Sequence, residues 1–230
     1  MKDSKQYAEK IQKLYHSLKR KYPKVQKVSY DEPVDAMVYA IISENMTESQ
    51  AEAAIRRFTD HFVDWNDLRV SSADEIVELL GVADTTLARS TAATLTGTLN
   101  AIFDKYNMIT LTALKKIGKR PAKLALEKIN GTTHYVVSYC MLTSLQSHSI
   151  PLTEKMIKYL ISNQMVSPSA DKEQIEGFLA RQISAGNAYE FYFLLRQDSE
   201  STEPKAKKTI EKKKETVSKP ETKKKKTKTK

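Results

Sequence analysis

Residues able to do chemistry are sparse in this chain, and few fall at a spacing that makes a site. The single cysteine, Cys140, lies in the apolar run YVVSYCML. One thiol excludes an intrachain disulfide and any zinc or iron–sulfur site built from several thiolates. Cys140 reads as a small buried hydrophobe of a reducing compartment. His16, His61, His134 and His148 share no ligand spacing and read as surface or local hydrogen-bonding residues. Lys155 and Lys158 are amines close to the carboxylate of Glu154, but cations on a helix are usually solvated or touch phosphate. The strongest pattern is EKINGTTHYVV at 127–137. One amphipathic helical pattern stops at ING and another starts at HYVV. A tight turn through Asn130, Gly131, Thr132 and Thr133 would present main-chain N–H groups at the start of the second helix, where a phosphate can sit. Glycine lets the two backbones approach. Such a grip positions a nucleic acid and reads no sequence. Alone, the same residues also fit a plain helix C-cap followed by a turn.

The elements that must position these residues are helical nearly throughout. Tyr7, Ile11, Leu14, Tyr15 and Leu18 recur at helical spacing in 5–22. VDAMVYAIIS at 34–43 predicts a deeply buried helix. TESQAEAAIRRFTDHF follows, with Thr47 as N-cap and Gln50 completing a capping box. VSSADEIVELLG predicts a capped helix ending at Gly81, with Trp65 before it anchoring a loop. A longer helix is predicted over 85–106. TLTALKKIGKRPAKLALEKING gives one or two short helices, the second opening after Arg120 with Pro121 in its first turn. HYVVSYCMLTSLQ is a buried helix. PLTEKMIKYLISNQMV and DKEQIEGFLARQISAGNAYEFYFLLRQ complete the body, with YEFYFLL read as packing rather than base stacking. With no strand alternation and no repeat, the fold class is all-α with roughly ten helices.

The order of these elements resembles the endonuclease III-like helix-hairpin-helix DNA glycosylase superfamily of base-excision repair. YAIISENMTESQAEAAIRRF is similar to that family's early helix pair, LLSAQTTDxxVNxxxxxLF. SSADEIVELLG and LARSTAATLTGTLNAIFDKY are similar to the next helix and the long helix beyond it. LEKINGTTHYVVSYCML occupies the slot of LxxLPGVGRKTAxxVL, and SIPLTEKMIKYL that of xxxVDTHVxRV. The resemblance spans roughly residues 30–197 and rests on order, spacing and apolar pattern. It implies a two-lobed helical fold that binds double-stranded DNA.

At the diagnostic positions the chain departs from the family. The family hairpin carries a Pro and two Gly; here Asn130 and Gly131 stand, with Thr133 at the second Gly. The catalytic lysine of bifunctional members falls on Tyr135, and a phenol cannot form their Schiff base. The catalytic aspartate falls on Thr153, whose hydroxyl cannot supply the carboxylate's field but can cap the following helix. A one-residue slip would bring Glu154 into that place, yet Leu152 and Met156 fix the apolar register against it. Asn45 falls on the Gln that fills the gap left by a flipped base; its alternative reading is a helix-end amide in a loop. His134 takes an Arg slot beside the hairpin, and Lys155 lies where it could touch phosphate. The family's iron–sulfur cysteines are missing, so no iron–sulfur cluster, metal or small-molecule cofactor is expected.

The net charge of +10 is unevenly placed. Residues 205–230 hold thirteen lysines against three glutamates, and the remaining 25 basic and 25 acidic residues cancel. The segment 199–230, including Lys223, Lys224, Lys225 and Lys226, has too little apolar surface to offset ordering entropy and reads as a disordered tail. It is either a spacer or an arm held to nucleic acid by counterion release; the second reading is favoured. The domain plan is an N-terminal helix and linker at 1–29, a helical domain at 30–198 and the tail. No run reaches the ~18 apolar residues of a membrane span, and 1–20 has no signal-peptide core. A monomer in the cytoplasm or nucleoid, or in a eukaryotic nucleus, is expected. Three functions follow: a DNA-binding protein with degenerate glycosylase chemistry, an active monofunctional glycosylase using a non-standard carboxylate, or an interaction scaffold that kept the fold.

Overall fold

The computed structural model describes residues 4–22 and 24–201; the lysine run 223–226 lies outside them. Eleven α-helices occur among the described residues: α1 (Ser4–Lys21), α2 (Pro33–Ser43), α3 (Glu48–His61), α4 (Trp65–Val70), α5 (Ala73–Leu80), α6 (Thr85–Tyr106), α7 (Lys119–Glu127), α8 (His134–Thr143), α9 (Glu154–Ser162), α10 (Lys172–Gln182) and α11 (Ala188–Ser201). Short 3-10 segments cover Thr112–Lys116 and Ala185–Asn187. The all-α class holds, and no strand occurs among the described residues.

Most ends form where side chains satisfy orphaned backbone groups. Thr47 and Gln50 make the expected capping box on α3. Ser72 caps α5, which stops at Gly81 with φ 62°. Helix α4 lies where only a loop was expected: Asp64 accepts from the amides of Asn66 and Asp67 and starts it, and Trp65 donates to Asp35 on α2 at 2.6 Å. Helix α7 starts at Lys119, ahead of the expected opening, and Pro121 falls in its first turn, where no donor is needed. Helix α11 runs on to Ser201, into the segment read from sequence as tail. The reason is tertiary: Asp198 and Ser199 are buried, and Glu200 accepts from the Glu48 amide at 2.9 Å.

Helices α2 to α8 pack among themselves, with α2 against α8 and α6 against α4 and α5. Helix α1 packs on α10 and α11, and α11 on α9. The two groups meet along α11 and α8. Helix α8 is buried over its length from Tyr135 to Thr143, as is most of α2. An apolar all-round helix of this kind needs neighbours on every side, which places the start of α8 at the junction of the two groups.

Candidate nucleic-acid interface

The hairpin between α7 and α8 is built by three residues with different tasks. Gly131 has φ 86°, a region that disfavours side chains. An added Cβ would also lie 2.3 Å from Oγ1 of Thr98 on α6. Thr132 turns inward, its hydroxyl donating to the carbonyls of Leu126 at 3.0 Å and Ile129 at 2.8 Å. It closes the end of α7 and is spent on that task. Thr133 caps α8 by accepting from the Val136 amide. Asn130 and Gly131 are exposed. Among the described residues the amides of Gly131 and His134 have no acceptor. Free N–H groups beside a helix N-terminus suit an anion.

Two residues on, the surroundings invert. Tyr135 is fully buried, and its hydroxyl accepts from Nη1 of Arg196 at 2.6 Å. Arg196, on α11, is itself 1 % exposed. Its Nη1 also donates to Tyr192 at 2.9 Å, and its Nη2 to the carbonyls of Ser43 at 2.8 Å and Met46 at 2.9 Å. Its Nε donates to Glu200 at 2.9 Å. All five guanidinium donors thus have acceptors. Glu48 Oε2 lies 2.9 Å from the same Nε as an ion pair, outside the line of its N–H, and Glu48 Oε1 accepts from Tyr39 at 2.5 Å.

Around this cation the tyrosines close ranks. The Tyr135 hydroxyl meets those of Tyr192 at 2.9 Å and Ser43 at 3.2 Å, and Tyr139 stacks on Tyr39 with ring centroids 5.3 Å apart. Burial pushes the Tyr135 phenol above its ordinary range, only partly opposed by Arg196. Burial likewise raises the Glu48 carboxyl against the pull of Arg196. A neutral phenol sealed under a guanidinium offers neither a nucleophile nor access for one.

Thr153 is buried and caps α9 by accepting from the Met156 amide at 3.3 Å. Glu154 starts α9 on the surface, in the register expected from Leu152 and Met156, both buried. Lys155 reaches the carbonyl of Glu200 at 3.4 Å. Asn45 is exposed in the turn between α2 and α3. His134 pairs with Glu176 on α10. Glu176 also accepts from Ser138 at 2.8 Å and Ser149 at 2.9 Å. Burial would lift its carboxyl, but His134 and the two hydroxyls outweigh burial and hold it below the usual range. The hydrogen bond to Glu176 raises the imidazole. Serine and histidine both address the carboxylate here and not each other, so no nucleophile–base pair forms.

The sequence reading missed Arg196, Glu48, Tyr192 and Glu176. One signal for Arg196 was available: a lone cation in the apolar YEFYFLLRQ, four residues from Tyr192 and four from Glu200. It also missed Glu44. This half-buried residue ends α2 and accepts from the Thr133 hydroxyl at 2.9 Å. Burial raises its carboxyl; Thr133 and Lys172 oppose that and Glu154 adds to it.

No family model and no curated protein matches the chain. Among solved structures, it is similar to endonuclease III in a non-covalent DNA complex, at 12 % identity over 82 % of this chain and 84 % of that one, with a TM-score of 0.64. It is similar to the Clostridium acetobutylicum 8-oxoguanine glycosylase/lyase in complex with double-stranded DNA, at 16 % identity over 86 % and 71 %, TM-score 0.64. It is also similar to H. pylori 3-methyladenine DNA glycosylase bound to 1,N6-ethenoadenine, at 11 % identity over 88 % and 100 %, TM-score 0.60. The chain therefore has the endonuclease III-like helix-hairpin-helix fold that its sequence resembles.

Proposed function

We propose that this protein binds double-stranded DNA through the hairpin at 130–134 without sequence preference, and that it carries no lyase chemistry. The observation that carries the second half is Arg196: its guanidinium fills the space beside Tyr135, the position of the family's lysine, and donates to that phenol at 2.6 Å. The first half is supported by the fold, the free amides at Gly131 and His134, and the chemistry of a helix N-terminus facing phosphate. Lys223, Lys224, Lys225 and Lys226, with the rest of the basic tail, would add a salt-dependent attraction. The reading uses no cofactor.

Fluorescence anisotropy with a lesion-free duplex at low salt tests the binding; failure to bind would leave the fold as an interaction scaffold. Tyr135→Lys tests the closed site. The new amine would face the Arg196 guanidinium, so borohydride should trap no covalent adduct on abasic DNA. A trapped adduct would show that DNA reaches position 135 and would overturn this part of the reading.

A second reading rests on Glu44. A half-buried carboxyl with a raised pKa, held by Thr133 beside the hairpin, is suited to general acid–base work. A monofunctional glycosylase would then release a base from duplexes carrying oxidised, alkylated or mismatched bases, and Glu44→Gln would abolish the release. No base release from any of these substrates removes this reading.

A further inference from the structure

We propose that the side of α7 bearing Arg120 and Lys128, with Lys116 at the end of the 3-10 segment before it, is a second phosphate-binding track for duplex nucleic acid. It would lead into the hairpin, and it rests on the duplex-binding reading above. The first observation is charge. Residues 115–128 hold six cations, Lys115, Lys116, Lys119, Arg120, Lys123 and Lys128, against one carboxylate, Glu127. Outside this stretch, residues 1–204 hold 19 basic and 24 acidic residues. A body that is neutral in sum thus carries a local positive excess immediately before the hairpin; residues 1–27, with nine cations against Asp3 and Glu9, carry another away from it in sequence.

The second observation separates the cations that are occupied from those that are not. Lys115 reaches the Tyr30 carbonyl at 3.4 Å and Asp31 at 3.7 Å, Lys119 reaches the Gln146 carbonyl at 2.5 Å, and Lys123 lies 3.7 Å from Glu127. Lys116, Arg120 and Lys128 are exposed and have no partner among the described residues. On α1, Lys10, Lys19 and Lys21 are tied to Gln164, Glu190 and Asp198, while Lys5, Lys13 and Arg20 are exposed without a partner among the described residues, so position beside the hairpin is what sets the α7 cations apart.

The third observation is geometry. Ala122, Leu126 and Ile129 are buried and fix which side of α7 faces the core. Arg120, Leu124 and Lys128 are four residues apart and fall along one exposed side. Lys128 forms the C-cap of α7 and stands two residues before Asn130, so that side runs into the turn. Arg120 to Lys128 spans about 12 Å of helix. One strand of a duplex presents a phosphate about every 3.4 Å along its axis. Two or three phosphates are thus within reach of these cations while the hairpin amides hold another. Flexible Lys and Arg heads on solvated stems suit backbone contact that carries no sequence information.

The test uses the full chain and the dependence of duplex affinity on salt. Each phosphate contact contributes about 0.9 to the slope of log K against log salt. The variant Lys116→Gln/Arg120→Gln/Lys128→Gln should reduce that slope by about 2 to 3. The control, Lys5→Gln/Lys13→Gln/Arg20→Gln on α1, removes the same charge from another face and should change it by less than about 1. Unchanged thermal melting would show that both variants fold. Equal slopes for the two variants would overturn the track while leaving duplex binding intact. No duplex binding by the unsubstituted chain at low salt would overturn the reading on which the track depends.

Discussion

The hairpin and the junction between the helix groups begin within a few residues of each other and have opposite characters. At Asn130 and Gly131 the chain is exposed, with free amides and unpaired cations nearby. At Tyr135 it is sealed beneath a guanidinium whose five donors are all taken. The first two residues of α8 carry the chain from one setting to the other. A grip made from main-chain N–H groups needs only a turn of the right shape, so it tolerates changes in side chains. The surroundings of Tyr135 are made of side chains, and Arg196 and the tyrosines leave no open space there.

The largest expected effect breaks the sealed side. Arg196→Met keeps the volume but leaves the part-buried Glu48 and the acceptors around Arg196 without their cation, and should cost about 3–5 kcal/mol in urea unfolding. Duplex affinity of the still-folded fraction should stay near that of the parent, because Arg196 does not reach the hairpin. A cost below about 1 kcal/mol would mean that the cation network contributes little to holding α11 on α2 and α8.

Breaking the exposed side should cost less stability and more binding. Gly131→Ala meets both the positive φ and the Thr98 hydroxyl, for roughly 1–3 kcal/mol. Duplex affinity should fall at least tenfold, since the free amides turn with the hairpin. Truncating Thr98 to Ala in the same chain should recover part of the stability by removing the steric half of the conflict, measured as a double-mutant cycle.

The smallest effect sharpens the border between the two regions. His134 is raised by Glu176, so its contribution is fully present below its unfolded pKa, near 6.5, and is lost as pH rises through the higher folded value. Glu176 is lowered, so its contribution is lost only as pH falls through its depressed value. His134→Gln should therefore cost about 1–2 kcal/mol between roughly pH 5 and 6.5, and progressively less above that. A cost that does not change with pH would assign His134 to packing alone.

Much of this architecture is legible in the chain itself. Helical periodicity gives α1, α2, α3, α5 and α6, and Thr47, Ser72 and Gly81 mark where helices begin or end. Gly131 marks the turn, and the spacing of Leu152 and Met156 fixes Thr153 as a cap and leaves Glu154 on the surface. All of these depend on contacts within a few residues, which local sequence encodes directly. Arg196 is different. It lies 61 residues from Tyr135, 153 from Ser43 and 150 from Met46, and its role exists only once α11 is laid across α2 and α8. The same holds for His134, whose partner Glu176 lies 42 residues away on α10. Local sequence determined the hairpin and the caps Thr133 and Thr153. Tertiary packing decided what surrounds Tyr135, because a buried charge takes whatever partners the assembled helices bring within hydrogen-bond reach.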